Sequence, residues 1–398
     1  MPSELLIQNV LPAGGKPVDI LSVDGTIAAV GPGLTASAPD ATVLDAENRL
    51  LLPGLVDAHA HVDKILLGLP WFAHTTGRSL IEMVAQERQA RFDLNIDFRE
   101  QAAKQLRLSI AAGTTHIRTG VDVDTQGKLR AFEGVMQAKE DFKDAISMQV
   151  IAFPQSGMLI RPGTVELMEE ALKAGADAVG GLDPSVIDRN PVEHINVVFA
   201  LAEKYDKDID FHLHEPGELG AFSVELIAER TKAIGWQGRV AIGHAFCLGD
   251  IDDAQLGRIT EQLAENKIAI ASNGPGGGRP SPPVARLRQA GVIVCCGTDG
   301  IRDTWAPMNM PDMLLRAYLV AWRNGLTADE GLEMALDVAT YGGAAAMGLT
   351  DYGLTPGSAA DFVVVDGEVP AEVVIERPPR WLVVKGGKVV AKKGACLV

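Results

Sequence analysis

The sequence predicts an α/β protein: a closed (β/α)8 TIM-like barrel with a small β-sandwich domain built from both chain ends. Three observations predict it. From Leu55 onward, eight short apolar runs alternate with helical stretches. Short strand-like runs with glycine-containing turns flank that region on both sides. Histidines and one aspartate fall at the ends of separate apolar runs, where a parallel barrel collects its catalytic groups.

Residues 1–52 read as the N-terminal part of the sandwich. Strand candidates 4–10, 19–23 and 27–30 are broken by Asp24-Gly25 and Gly31-Pro32-Gly33; Asp-Gly between apolar runs is a hairpin signal. Residues 53–348 read as the barrel. Its strand candidates are 55–57, 115–121, 147–153, 178–182, 209–212, 240–244, 268–272 and 292–296. Between them lie helical stretches such as 98–112, 165–173, 191–205, 223–234 and 253–266, and helices between Asn309 and Met347 end the barrel. Residues 349–398 read as the C-terminal part of the sandwich, with strands at 362–365, 373–375, 381–385 and 388–390. Lys385-Gly386-Gly387-Lys388 is a hairpin turn. Chain termini often lie close together, which lets the two flanking regions pair.

Composition narrows the function. A hydrophobic content of 47% in 398 residues supplies a large core. A formal charge of −16 and a pI near 5.0 argue against nucleic acid and anionic membrane as partners, since both select basic surfaces. No uncharged apolar stretch is long enough to span a bilayer. The four cysteines, Cys247, Cys295, Cys296 and Cys396, form no Cys-x-x-Cys pair. Cys295 and Cys296 sit together in an apolar run and read as buried, reduced thiols. The start, Met1-Pro2-Ser3-Glu4-Leu5-Leu6-Ile7, has no basic region leading into a long apolar core. The expected location is the cytoplasm.

The chemistry begins at Asp57-Ala58-His59-Ala60-His61, after the apolar run Leu51-Leu52-Pro53-Gly54-Leu55-Val56. Residues i and i+2 of a strand share a side, so the two imidazoles project together. Of eight histidines, three more close strand candidates: His212 and His214 after Asp208-Ile209-Asp210-Phe211, and His244 after Val240-Ala241-Ile242-Gly243. Asp299 ends the run from Gly291. Three neutral imidazoles and one carboxylate can hold a divalent ion and leave a position for water.

These residues, the segment Pro53 to His61 and the segment Pro356-Gly357-Ser358-Ala359-Ala360-Asp361-Phe362 make the chain resemble the amidohydrolase superfamily nearly end to end. The likeness is to its cytosine deaminase-like branch, and also to the N-isopropylammelide amidohydrolases. The resemblance implies one divalent metal ion, zinc or iron with manganese as a further option, ligated by His59, His61, His212 and Asp299. His244 joins as a ligand or as a partner of water and substrate. Two-metal relatives carry a bridging carboxylated lysine at the fourth strand end; here Ala178-Val179-Gly180-Gly181-Leu182-Asp183-Pro184 offers Asp183 instead. Asp183 either lines the pocket or caps the next turn.

Glu215, in His212-Leu213-His214-Glu215, matches the deaminase residue that shuttles a proton to the ring. It reaches the site only if the strand ends before it, and Pro216-Gly217 supports that ending. His214 is the alternative shuttle, as in the ammelide enzymes. Lys64 either binds a ring carbonyl or an anionic ring, with Asp63 or the substrate accepting its charge, or it forms a rim salt bridge. Gln155, in Phe153-Pro154-Gln155-Ser156, either reads an amide edge or caps its strand. Trp305 either stacks on a planar heterocycle or packs its loop. The loop Asn273-Gly274-Pro275-Gly276-Gly277-Gly278-Arg279-Pro280 reads as a lid or connector without phosphate-loop spacing, and His74 reads as a loop residue.

The resulting expectation is a metal-dependent hydrolase of a non-peptide C–N bond in a small N-heterocycle such as cytosine, isocytosine or an oxo-triazine. Release of an N-alkylamine, or opening of a cyclic amide, is the alternative reaction. A metal-free scaffold is the rival of a different class, disfavoured by the intact ligand set. The expected partner is the small N-heterocyclic substrate, and further copies of the chain stand open as an alternative to a monomer.

Overall fold

The computed structural model describes residues 4–37, 39–75, 77–274 and 278–398. Strands β1 (Glu4–Val10), β2 (Val18–Val23), β3 (Thr26–Gly31) and β4 (Thr42–Asp45) form one sheet of order β3-β2-β1-β4. After β5 (Leu50–Pro53) the chain enters eight parallel strands. These are β6 (Leu55–Ala60), β7 (Thr114–Asp122), β8 (Ser147–Phe153), β9 (Ala178–Leu182), β10 (Asp208–Leu213), β11 (Val240–His244), β12 (Ala269–Ala271) and β13 (Val294–Cys295). They hydrogen-bond in sequence order. The ring closes where Ala58 N donates to Cys296 O at 3.1 Å and Asp299 N donates to His59 O at 2.8 Å. That closure places Asp299 beside His59 of β6 and His61 just past its end.

Helices α1 (Leu80–Asp93) and α2 (Phe98–Ala111) follow β6. Single helices follow each of the next six strands: α3 (Arg130–Asp141), α4 (Thr164–Lys173), α5 (Pro191–Tyr205), α6 (Gly217–Ile234), α7 (Asp253–Glu265) and α8 (Val284–Gln289). After β13 come α9 (Met313–Arg323), α10 (Asp329–Val338) and α11 (Tyr341–Ala346). β7, β9 and β11 are buried along their whole length, as strands covered on both faces must be. The predicted strands at 268–272 and 292–296 are shorter in the fold, and α6 begins at Gly217 rather than Ser223.

The chain ends in β14 (Phe362–Val365), α12 (Pro370–Glu376), β15 (Arg380–Lys385), β16 (Lys388–Lys392) and β17 (Ala395–Cys396). These strands form a second sheet of order β17-β16-β15-β14-β5. β5 therefore carries the first flanking region into the sheet of the second, pairing antiparallel with β14. The two sheets share a core that includes Ile7, Ile20, Ile27, Leu51, Phe362 and Val384. This is the expected β-sandwich.

One predicted strand is wrong. Residues 373–375 lie in α12, which packs on α9 and α10. Val373-Val374-Ile375 is too short for its period to separate strand from helix. Pro370 at the first helical turn starts a helix, and Val373 and Val374 bury against the barrel's helical shell. No helix among the described residues is long and apolar enough to cross a membrane.

Candidate active site and metal centre

The C-terminal ends of β6, β10, β11 and β13 converge on one point. His61 Nδ1 lies 3.0 Å from Gly120 O, so this nitrogen carries the proton and Nε2 keeps its lone pair. His61 Nε2 is 2.9 Å from His212 Nε2 and 3.6 Å from Asp299 Oδ1, which is 3.9 Å from His59 Nε2. His59 Nε2 and His244 Nε2 are buried without a hydrogen-bond partner. The ligand atoms of His59, His61 and His212 lie within 4.8 Å of one another, and so do those of His59, His244 and Asp299. Burial pushes His59 down to about 4 and holds His61, His212 and His244 well below their ordinary range. The imidazoles are therefore neutral at neutral pH, the form that ligates a metal. Buried, neutral, unpartnered nitrogens facing a carboxylate fit a divalent cation better than any protein partner present.

Local backbone supports this convergence. His244 and Asp299 adopt left-handed φ values of 66° and 58°, turning each side chain as its strand ends. Gly243 leaves room for the His59 ring: a Cβ there would lie 2.7 Å from His59 Nδ1. Below the site, Asp57 accepts from Thr298 N at 2.9 Å and Thr298 Oγ1 at 2.6 Å, tying β6 to the segment before Asp299.

A cavity opens over this candidate metal cluster, lined by His61, Lys64, Phe153, Gln155, His214 and Trp305 among others. Lys64, 4% exposed, donates to Gln155 Oε1 at 2.6 Å and pairs with Glu87 at 3.3 Å. Burial opposes its charge, but Glu87, then Asp63 and Asp122, outweigh it and hold the ammonium above its ordinary range. The close acceptors are thus Gln155 and Glu87 rather than Asp63, whose carboxylate takes Arg91 and Asp122 N. The Trp305 indole lies 28° from the plane of His214, with 6.2 Å between ring centroids.

The two proton-shuttle candidates separate. His214 lines the cavity; its Nδ1 is 2.7 Å from Asp183 Oδ2, and the described residues give its Nε2 no partner. Glu215 does not line the cavity. The strand does end before it, at Leu213, yet its carboxylate turns away. It accepts from Ser185 N at 2.7 Å, Val186 N at 2.9 Å and Ser223 Oγ at 2.6 Å. Burial pushes its carboxyl up. Asp183 caps the turn, accepting from His214 N at 2.5 Å and Glu215 N at 3.1 Å.

Glu87 of α1 is a site residue that sequence reasoning missed. Ser79 and Glu82 form a capping box that marks the start of α1, but no apolar stripe runs along the helix to draw attention to its buried face. His74 bonds Asp303 O at 2.7 Å and stays outside the ligand set. Of the loop read as a lid or connector, Pro275, Gly276 and Gly277 lie outside the described residues.

Comparison with known proteins places this geometry. The model of the Amidohydrolase family matches residues 69–391. The chain is 32% identical over 360 residues to the N-isopropylammelide isopropyl amidohydrolase of Pseudomonas sp. (strain ADP), covering 88% of each chain. A crystal structure of N-isopropylammelide isopropylaminohydrolase from Burkholderia multivorans ATCC 17616 superposes with a TM-score of 0.96 at 43% identity, covering 99% of this chain and 100% of that one. The 5-methylcytosine deaminase from Klebsiella pneumoniae liganded with 5-fluorocytosine superposes with a TM-score of 0.86 at 26% identity, covering 98% and 97%.

Proposed function

Since the chain belongs to the amidohydrolase family, we propose that it hydrolyses an exocyclic C–N bond of a small oxo-rich N-heterocycle, with an N-alkylammelide as the foremost substrate. The observation that carries this choice of ring is the buried Lys64 ammonium in the cavity wall. It can donate to a ring carbonyl or a deprotonated ring nitrogen, and neutral cytosine offers it a weaker acceptor. The likeness to N-isopropylammelide enzymes over nearly the whole chain supports the same choice.

His59, His61, His212 and Asp299 would hold one divalent ion, with His244 beside it. Zinc and iron suit the donor set, and manganese is a third option. When bound, the ion supplies a Lewis acid and lowers the pKa of its water towards ~7. Asp183, at the fourth strand end, is engaged by His214, which favours a single ion.

The chain's own groups divide the remaining work. Lys64 and Gln155 hold the ring edge, and Trp305 covers its face. Water oxygen bonds to the ring carbon and the exocyclic C–N bond breaks. His214, its Nδ1–H held by Asp183, takes a water proton on Nε2 and returns it to the departing nitrogen. Asp299 and His244 orient the water. The four cysteines are free, which supports a reducing, cytoplasmic location.

The test is a substrate panel. Metal-loaded enzyme is given N-isopropylammelide, ammelide, cytosine and isocytosine, and released isopropylamine or ammonia is measured. A hydrogen bond to a charged group contributes about 1.5–3 kcal/mol, so kcat/KM for an ammelide should exceed that for cytosine by about tenfold or more. A preference for cytosine would move the protein to the pyrimidine deaminases. No amine from any ring would overturn the proposal.

A further inference from the structure

Glu87 has no part in the proton transfers, yet it is a carboxylate only 2% exposed at the edge of the cavity. α1 carries it inward. Its Oε2 accepts from Gln155 Nε2 at 3.0 Å and from the Trp305 indole N–H, and its Oε1 lies 3.3 Å from Lys64 Nζ. Three residues that line the ring cavity are thus tied to one group that does not.

This bonding decides what the wall can offer. A primary amide can present either its carbonyl or its NH2. Here the flipped amide would aim its carbonyl at a carboxylate and its NH2 at an ammonium, so Glu87 and Lys64 together forbid it. The Gln155 carbonyl accepts from Lys64, and one N–H of its amide donates to Glu87. What remains for a ligand is one N–H of Gln155 and the N–H groups of Lys64 not given to Gln155, against one lone pair of the Gln155 carbonyl. Donors predominate.

We propose that Glu87 is a specificity-determining positioning residue. It orients Gln155 and Lys64 so that their wall presents mainly N–H donors, and the wall therefore selects rings whose facing edge carries oxo groups or deprotonated nitrogens. The inference rests on the reading of the cavity as a heterocycle site. A donor-rich wall favours a carbonyl edge over an amino edge, because facing donors leave both sides unpaired. Glu87→Gln removes the charge that holds the amide, so Gln155 can turn and offer its carbonyl.

The experiment measures binding, so it does not depend on turnover. Cyanuric acid, with three oxo groups, and melamine, with three amino groups, are titrated calorimetrically into metal-loaded wild-type and E87Q protein. Melting temperature and metal content are followed in parallel. Wild type should favour cyanuric acid by about tenfold or more, and E87Q should reduce that ratio about tenfold, chiefly by weaker cyanuric acid binding, with metal content unchanged. An intact ratio in folded E87Q overturns the role of Glu87 and leaves the proposed reaction standing. No preference in wild type overturns the donor-rich wall together with the choice of an oxo-rich ring. Should E87Q not fold, Glu87→Asp keeps the charge and withdraws the carboxylate from Gln155 and Trp305. It should lower the ratio to a smaller extent, and an unchanged ratio in folded E87D overturns the inference.

Discussion

At the scale of single residues, the site turns on which way two neighbours face. His214 points into the cavity with Asp183 behind it, and Glu215 points into the wall between β9 and α6. His214→Asn should lower turnover by about 100-fold or more, the loss expected for a general acid–base group. Glu215→Gln should keep turnover within about tenfold of wild type. It should instead cost about 1.5–3 kcal/mol of stability, because the carboxylate anchors two backbone N–H groups and one hydroxyl. Steady-state rates and thermal melts of the two variants decide this. A dead, fully stable E215Q beside an active H214N would restore the shuttle to Glu215. The sequence named both residues and could not choose between them. A residue just past a strand end has no periodicity to aim it, and here three donors from other segments do so.

At the scale of elements, the barrel strands were legible because strands buried on both faces are apolar runs, and the convergence of the candidate ligands because those runs end in histidine or aspartate. α12 was not, because Val373-Val374-Ile375 has strand composition and helical surroundings. Glu87 was hidden for a related reason: α1 lacks an apolar stripe, so nothing in its sequence shows which face turns inward. Packing between neighbouring elements is equally silent in sequence, and Gly243 is the clearest case. It lies in β11 against the ring of His59 from β6, and a Cβ would lie 2.7 Å from His59 Nδ1. Gly243→Ala should displace that imidazole and leave a folded barrel with metal content below half that of wild type. Metal analysis beside circular dichroism checks it. Full metal occupancy with normal activity would show that the ring can shift without cost.

At the scale of the whole molecule, the barrel floor meets the sandwich at His116. This buried imidazole on β7 lies 3.3 Å from Lys385 Nζ and 3.5 Å from Asp361 Oδ2. Burial, and then the Lys385 ammonium, push it from 6.5 down to about 3. The unfolded chain therefore binds a proton below about pH 6.5 that the folded chain refuses until about pH 3. Its contribution to stability is full above pH 6.5 and falls as the pH falls. The melting temperature of His116→Gln should accordingly drop less between pH 7 and pH 5 than that of wild type, and parallel curves would remove His116 from the acid response. The larger assembly of barrel, metal-ligand set and donor wall is tested by one titration. Metal-free enzyme receives zinc in fractions of an equivalent while isopropylamine released from N-isopropylammelide is measured. The rate should rise from near zero and break at one ion per chain. A full rate without metal, a break at two ions, or no amine at any loading would contradict a single-metal, amine-releasing hydrolase.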